Sequence, residues 1–123
     1  MNTLIYFVIV FLHIIADFNL QGVLAKLKVK SDDGKSDYIA ALLIHGYSWS
    51  FMVHLPFIGI MVLCDMYQYV TVFALSLMAH AVAHAIIDTC KANLKKLDLV
   101  DDQLLHLIQI HIIWITTVFT LLM

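Results

Sequence analysis

The side chains best suited to chemistry are histidines and aspartates separated by whole helical turns. His13-x-x-x-Asp17 and His80-x-x-x-His84-x-x-x-Asp88 carry them four residues apart, which places each set on one face of a helix. His45 and His106 add an imidazole to the two remaining apolar segments, and Asp102 precedes His106 by four residues. Imidazole nitrogen combined with carboxylate oxygen suits a divalent transition metal such as zinc, manganese or iron, with coordination positions left open where the site is catalytic. His13, Asp17, His45, His84, Asp88 and His106 are the candidate ligands, for one ion or two. Asp102 and Lys91 are the candidate catalytic groups, as acid/base or head-group contacts. The chain contains no Glu, which excludes the His-Glu-x-x-His arrangement of zinc proteases. Seven histidines are too few for the histidine boxes of membrane desaturases.

The elements that must hold these groups are made for lipid. Of the 123 residues, 63% are hydrophobic, and the mean hydropathy is +0.93, well above the roughly 45–50% apolar content of a soluble domain. Apolar segments at about 3–24, 38–63, 68–90 and 103–123 are each long enough to cross about 30 Å of hydrocarbon as a helix. The expected fold is all-α: one integral membrane domain over 1–123, a bundle of four transmembrane helices. An Asp at the centre of a span costs about 2.5–3.5 kcal/mol on insertion scales, so buried ionisable groups normally face the bundle interior or mark a functional path. Six of them at a common depth argue for a site.

All seven lysines lie in or beside two polar loops, 25–37 and 91–102. An even number of spans separates the loops, so they share a side. The positive-inside rule makes that side cytoplasmic and turns both termini outward. The expected location is the bacterial inner membrane. The N-terminal apolar run has no basic flank or small-residue cleavage site and reads as a retained helix. The mixed-charge loops read as solvated connections, with Lys91 as either a snorkelling marker or an anion contact. The chain also lacks Arg, and its net charge is −2, which argues against nucleic acid as a partner. Cys64 and Cys90 are a span apart and cannot pair within the chain.

The chain reads as two helical hairpins that a pseudo-two-fold along the membrane normal would relate. His13, Asp17 and His45 form one half, and His84, Asp88 and His106 the other. The structural alternative is that these histidines only hydrogen-bond across helices and tie the bundle together. That alternative is favoured for His54 and His111, which lie deeper, while His80 is intermediate between ligand and supporting partner. The Met residues and the aromatics, including Trp49, Trp114, Tyr67 and Tyr69, read as lipid-facing, packing or interfacial groups. Pro56 falls inside the second helix, and the scattered glycines make no phosphate loop.

The motifs His13-x-x-Ala16-Asp17-Phe18-x-Leu20-Gln21, His45, His84-x-x-x-Asp88-x-x-Lys91 and Asp102-Gln103-x-x-His106 together resemble a family of small bacterial and phage membrane proteins, domain-of-unknown-function family 3307. The resemblance covers nearly the whole chain and implies a membrane-embedded fold, without an activity. A more distant similarity, at the level of the fold, is to membrane-bound metal-dependent hydrolases, which also set His and Asp in apolar helices.

Three functions compete. A metal-dependent hydrolase would act at the cytoplasmic side on a lipid-linked or phosphate-bearing substrate, using the ion to polarise the scissile group and activate water. A proton or divalent-metal transporter would oligomerise around the histidines, continuing through His54 and His111. A membrane interaction factor would dock through loop 25–37 and keep the cluster as structure. The small bundle is compatible with a homo-oligomer, although no GxxxG face specifies one.

Overall fold

The computed structural model describes residues 2–31 and 37–122, with the side chains of residues 3–31 and 37–120. Lys35 and Gly34 of the first polar loop, and the last residue of the fourth apolar segment, lie outside the described residues. The described residues form helices and no strands: α1 (Asn2–Ile14), α2 (Leu24–Leu27), α3 (Asp37–Leu63), α4 (Val70–Ala92) and α5 (Leu99–Leu122). Three stretches are long and apolar enough to cross a membrane: Asp37–Leu63, Tyr67–Ala92 and Leu99–Thr120. Thr3–Asn19 is apolar but shorter.

The first element ends earlier than its apolar run. α1 passes into a π-helical turn at Ile15–Asn19, closed by the five-residue bond from Leu20 N–H to Ile15 C=O at 3.0 Å. Gly22 then takes a left-handed φ of +47°, a conformation that costs glycine nothing and ends the helix. The chain restarts as the single turn α2, inside what the sequence presents as a solvated loop. Asp65, with φ 53°, ends α3 in the same manner: Met66 N–H reaches back to Met61 C=O at 2.9 Å, the wrapped bond of a Schellman cap. Pro56 lies within α3 without dividing it.

α3 is the central element and packs against each of the other four helices, most extensively against α4. Its inner face carries Trp49, Val53 and Phe57, which join Ile9 and Ala16 from the first element and Ile110 and Ile113 from α5 in one apolar core. Outward-facing side chains remain large and apolar along every long helix, among them Phe11, Leu43, Leu75 and Phe119, a surface compatible with contact to lipid. Cys64 and Cys90 are both free.

A close contact between α3 and α4 is made at Gly46. A Cβ built there would sit 2.5 Å from the carbonyl oxygen of Ala81 and 3.4 Å from the Cβ of Ala85. Small residues on both sides let the α3 and α4 backbones approach, which brings neighbouring His45 against His84. Because the obstructing atom is backbone, Gly46→Ala must push the helices apart, and overpacking of that kind costs about 1–3 kcal/mol. The expected result is a lower thermal midpoint in detergent for Gly46→Ala but not for Gly59→Ala, where a Cβ meets nothing within 4 Å.

Candidate metal centre

The His/Asp pairs spaced four apart on α4 and α5 face each other across the bundle. His84 and Asp88 come from α4, Asp102 and His106 from the first turns of α5, His45 from α3 and Asp17 from the π turn. All six are buried, none more than 4% exposed. His45 Nε2 lies 3.3 Å from Asp17 Oδ1 and 3.5 Å from Asp88 Oδ2. His84 Nε2 lies 3.8 and 3.7 Å from the same two oxygens. His106 Nε2 lies 3.5 Å from Asp102 Oδ1 and 3.8 Å from Asp88 Oδ1. Two donors each bound at about 2.0–2.2 Å to one tetrahedral ion lie roughly 3.3–3.6 Å apart; the separations of 3.3–3.5 Å fall in that range and those of 3.7–3.8 Å lie just beyond it.

Two groups could hold an ion: Asp17, His45, His84 and Asp88, and Asp17, Asp102 and His106. They share Asp17. Each group draws on residues from both of the expected hairpin halves. Asp102, expected to serve in catalysis, sits among the potential ligands of the second group.

The polar atoms are not used up by one another. Among the described residues, the buried side-chain atoms without a hydrogen-bond partner are His84 Nδ1 and Nε2, His106 Nε2 and Asp102 Oδ1 in this centre, and His80 Nδ1 outside it. Buried polar atoms nearly always have a partner, so unpaired ones need an explanation, and a bound ion is one. The histidine rings are held by stacking: Trp49 lies on His84 with centroids 4.3 Å apart, and His84 on His106 at 4.1 Å.

His13 is held apart from this set. Trp49 Nε1 is 2.8 Å from His13 Nδ1, and since indole only donates, Nδ1 accepts. The neutral ring then carries its proton on Nε2, which donates to Gln103 Oε1 at 3.1 Å. Gln103 Nε2 in turn donates to Asp17 Oδ2 at 2.9 Å and to Asp102 Oδ2 at 3.0 Å. Both ring nitrogens of His13 are occupied, and the relay fixes two carboxylates. The π turn starts between His13 and Asp17 and breaks the helical register their spacing assumes.

Two lysines close the site. Lys28, 7% exposed, donates to Asp88 Oδ2 at 2.7 Å. Lys91 donates to Asp102 Oδ2 at 2.6 Å and stays 36% exposed at its side chain. The first polar loop is thus not simply solvated. Asn93 binds its backbone from both sides, accepting from Lys30 N–H at 2.6 Å and donating to Lys28 C=O at 3.0 Å. Three carboxylates against two ammonium groups leave one negative charge, which one imidazolium or a metal cation would answer. Gln21 also donates to the Asp17 side chain at 3.0 Å, and to the Asp17 carbonyl.

Sequence reading missed Lys28, Trp49 and Gln103 as parts of this centre. Gln103 stood in a motif without a role, and Trp49 was indistinguishable from other apolar aromatics. For Lys28 no local signal exists, because its partner is 60 residues away.

Residues 4–122 match the model of a family described as "Protein of unknown function (DUF3307)". No curated protein and no solved structure matches the chain.

Lys28 and Asp88 form a buried pair, and removing one partner of such a pair strands the other charge at a cost of about 3–5 kcal/mol. In metal-free protein Lys28→Met is expected to lose stability on that scale, measured by denaturant unfolding in detergent. Lys28→Met combined with Asp88→Asn is expected to recover much of the loss. Additive losses would mean that the two groups do not interact.

Proposed function

The chain belongs to the DUF3307 family, and we propose that it is a membrane-embedded metal-dependent hydrolase acting on a lipid-linked or phosphate-bearing substrate. The observation that carries this reading is the set of unpaired buried atoms, His84 Nε2, His106 Nε2 and Asp102 Oδ1, at ligand spacing from Asp17, His45 and Asp88. Of these, His84 Nε2 weighs most, since its nearest carboxylate oxygens are 3.7 and 3.8 Å away, beyond hydrogen-bond reach. On this reading the single domain spans the bilayer four times. Thr3–Asn19 serves as the fourth span, its 17 residues rising about 26 Å. Loops 25–37 and 91–102 face the cytoplasm of a bacterial cell.

Asp17, His45, His84, Asp88, Asp102 and His106 would hold one ion or two, of zinc, manganese or iron. When bound, the ion would polarise the scissile group. The chain's own residues do the rest. His13, Gln103 and Trp49 orient the carboxylates, as supporting partners of ligands generally do. The Trp49–His84–His106 stack and the core around it exclude water. Lys91, part exposed beside Asp102, is placed to bind an anionic head group.

A second reading rests on the uncompensated negative charge, which a proton on one imidazole also satisfies. In support, Gln109 continues the polar line from the centre, its Oε1 3.3 Å from His106 Nδ1 and its Nε2 3.3 Å from the His80 carbonyl. That path suits proton transport.

Elemental mass spectrometry on protein purified without chelator or a histidine tag separates the two. About one or two equivalents of a transition metal in wild type, lost in a folded Asp88→Ala variant, is the expected result. Wild type that holds none after zinc, manganese and iron are each supplied would move the reading to proton transfer. Gln103→Leu is expected to keep the fold and weaken metal affinity by about 10–100-fold, since it removes the relay to two carboxylates while leaving every ligand in place. An unchanged affinity would deny Gln103 that role.

A further inference from the structure

Farther along the bundle, α3 and α4 bring a second pair of reactive groups together. His54 lies nine residues beyond His45, and Ser76 eight residues before His84, which sets both about 12–14 Å from the His/Asp centre along the helices. His54 is 2% exposed. Its Nδ1 is 2.7 Å from the Ser50 carbonyl oxygen and its Nε2 3.0 Å from Ser76 Oγ. A carbonyl oxygen can only accept, so Nδ1 carries the ring proton and Nε2 is left as the acceptor. The Ser76 hydroxyl therefore donates to Nε2. Ser50 Oγ gives its own proton to the Leu77 carbonyl at 2.8 Å.

A hydroxyl donating to an imidazole whose other nitrogen is fixed by an acceptor is the arrangement that activates a serine nucleophile. Here a backbone carbonyl takes the orienting place that a carboxylate holds in a triad. A serine serving only to bridge two helices has no need of open space. Ser76 and His54 instead line a cleft whose walls include Phe57, Met61, Phe73, Tyr69 and Thr116. The cleft combines apolar walls with a few polar groups, as small-molecule sites do. Within it, Thr117 and Thr120 already donate to the carbonyls of Ile113 and Thr116, each at 2.8 Å. Tyr69 and Thr116, which also line the cleft, carry further hydroxyls.

We propose that Ser76 and His54 form a second catalytic site, specific for fatty acyl esters, independent of the His/Asp centre. Ser76 Oγ attacks the ester carbonyl carbon while its proton passes to His54 Nε2. The ester C–O bond breaks, and the leaving alkoxide takes that proton and departs as the alcohol. Water then attacks the acyl-Ser76 ester with His54 again as base, releasing the fatty acid and restoring the hydroxyl. The apolar walls select the acyl chain, and Met66 and Tyr69 extend the cleft to the connection between α3 and α4.

The test uses the full-length protein in detergent with a long-chain alkyl fluorophosphonate, read by intact mass and peptide mapping. One adduct on Ser76 is expected, absent in Ser76→Ala and formed roughly tenfold or more slowly in His54→Gln. Wild type without an adduct on Ser76, or labelling at an unchanged rate in His54→Gln, would overturn the proposal, and the wild-type arm needs no variant to fold. Chelator treatment is expected to leave labelling unchanged. Loss of labelling with the metal would make Ser76 part of the other centre and overturn its independence. Conversely, wild type that contains no metal yet labels at Ser76 would refute the hydrolase reading of the centre while sustaining this one.

Discussion

Three carboxylates buried in an otherwise apolar bundle impose the constraint to which the rest of the chain answers. Asp17, Asp88 and Asp102 are each at most 4% exposed, and an ionised carboxylate removed from water is tolerated only when charge and hydrogen bonds replace its hydration. Lys28 and Lys91 supply charge, Gln21 and Gln103 supply donors, and three imidazoles close the remaining approaches. This requirement explains features that apolar packing alone would not demand, such as a buried lysine and a glutamine serving two acids. Two ammonium groups against three carboxylates leave a charge that an imidazolium or a bound cation can balance.

Backbone geometry is arranged to bring these groups within reach. The π turn at Ile15–Asn19 widens the helix where Asp17 must face inward, and π bulges commonly occur at functional positions. Gly46 removes the side chain that would hold α3 off α4. Gly22 allows the chain to double back so that Lys28 can return to Asp88, and Asn93 ties that returning segment to the end of α4. Trp49 serves both layers, as the largest fully buried side chain of the core and as the donor that sets the tautomer of His13. Core packing and polar order are therefore coupled through α3.

The two polar regions follow different rules. Around the His/Asp centre, charge is dense and the partners come from every long helix. Among the described residues His54 has no carboxylate partner, and its proton is held by the Ser50 carbonyl. A neutral, oriented imidazole beside a hydroxyl suits proton abstraction, whereas crowded acids and imidazoles suit a cation. Separation along α3 and α4 keeps the two from competing for the same groups.

Much of this could be read directly from the sequence. Apolar runs with lysines confined to two loops determined the long helices, because span length and the cost of burying charge leave little freedom. The spacing of His84 with Asp88, and of Asp102 with His106, placed each pair on one face, because helical periodicity is a local property. His45 and Asp17 followed as rare ionisable residues in apolar surroundings. What the sequence could not determine was which faces meet. The break between His13 and Asp17, the sharing of Asp17 by two ligand groups, and the arrival of Lys28 at Asp88 depend on the π turn and on contacts between residues far apart in the chain. Local pattern fixes which side chains leave a helix together. Only the packing of one helix against another decides what they encounter.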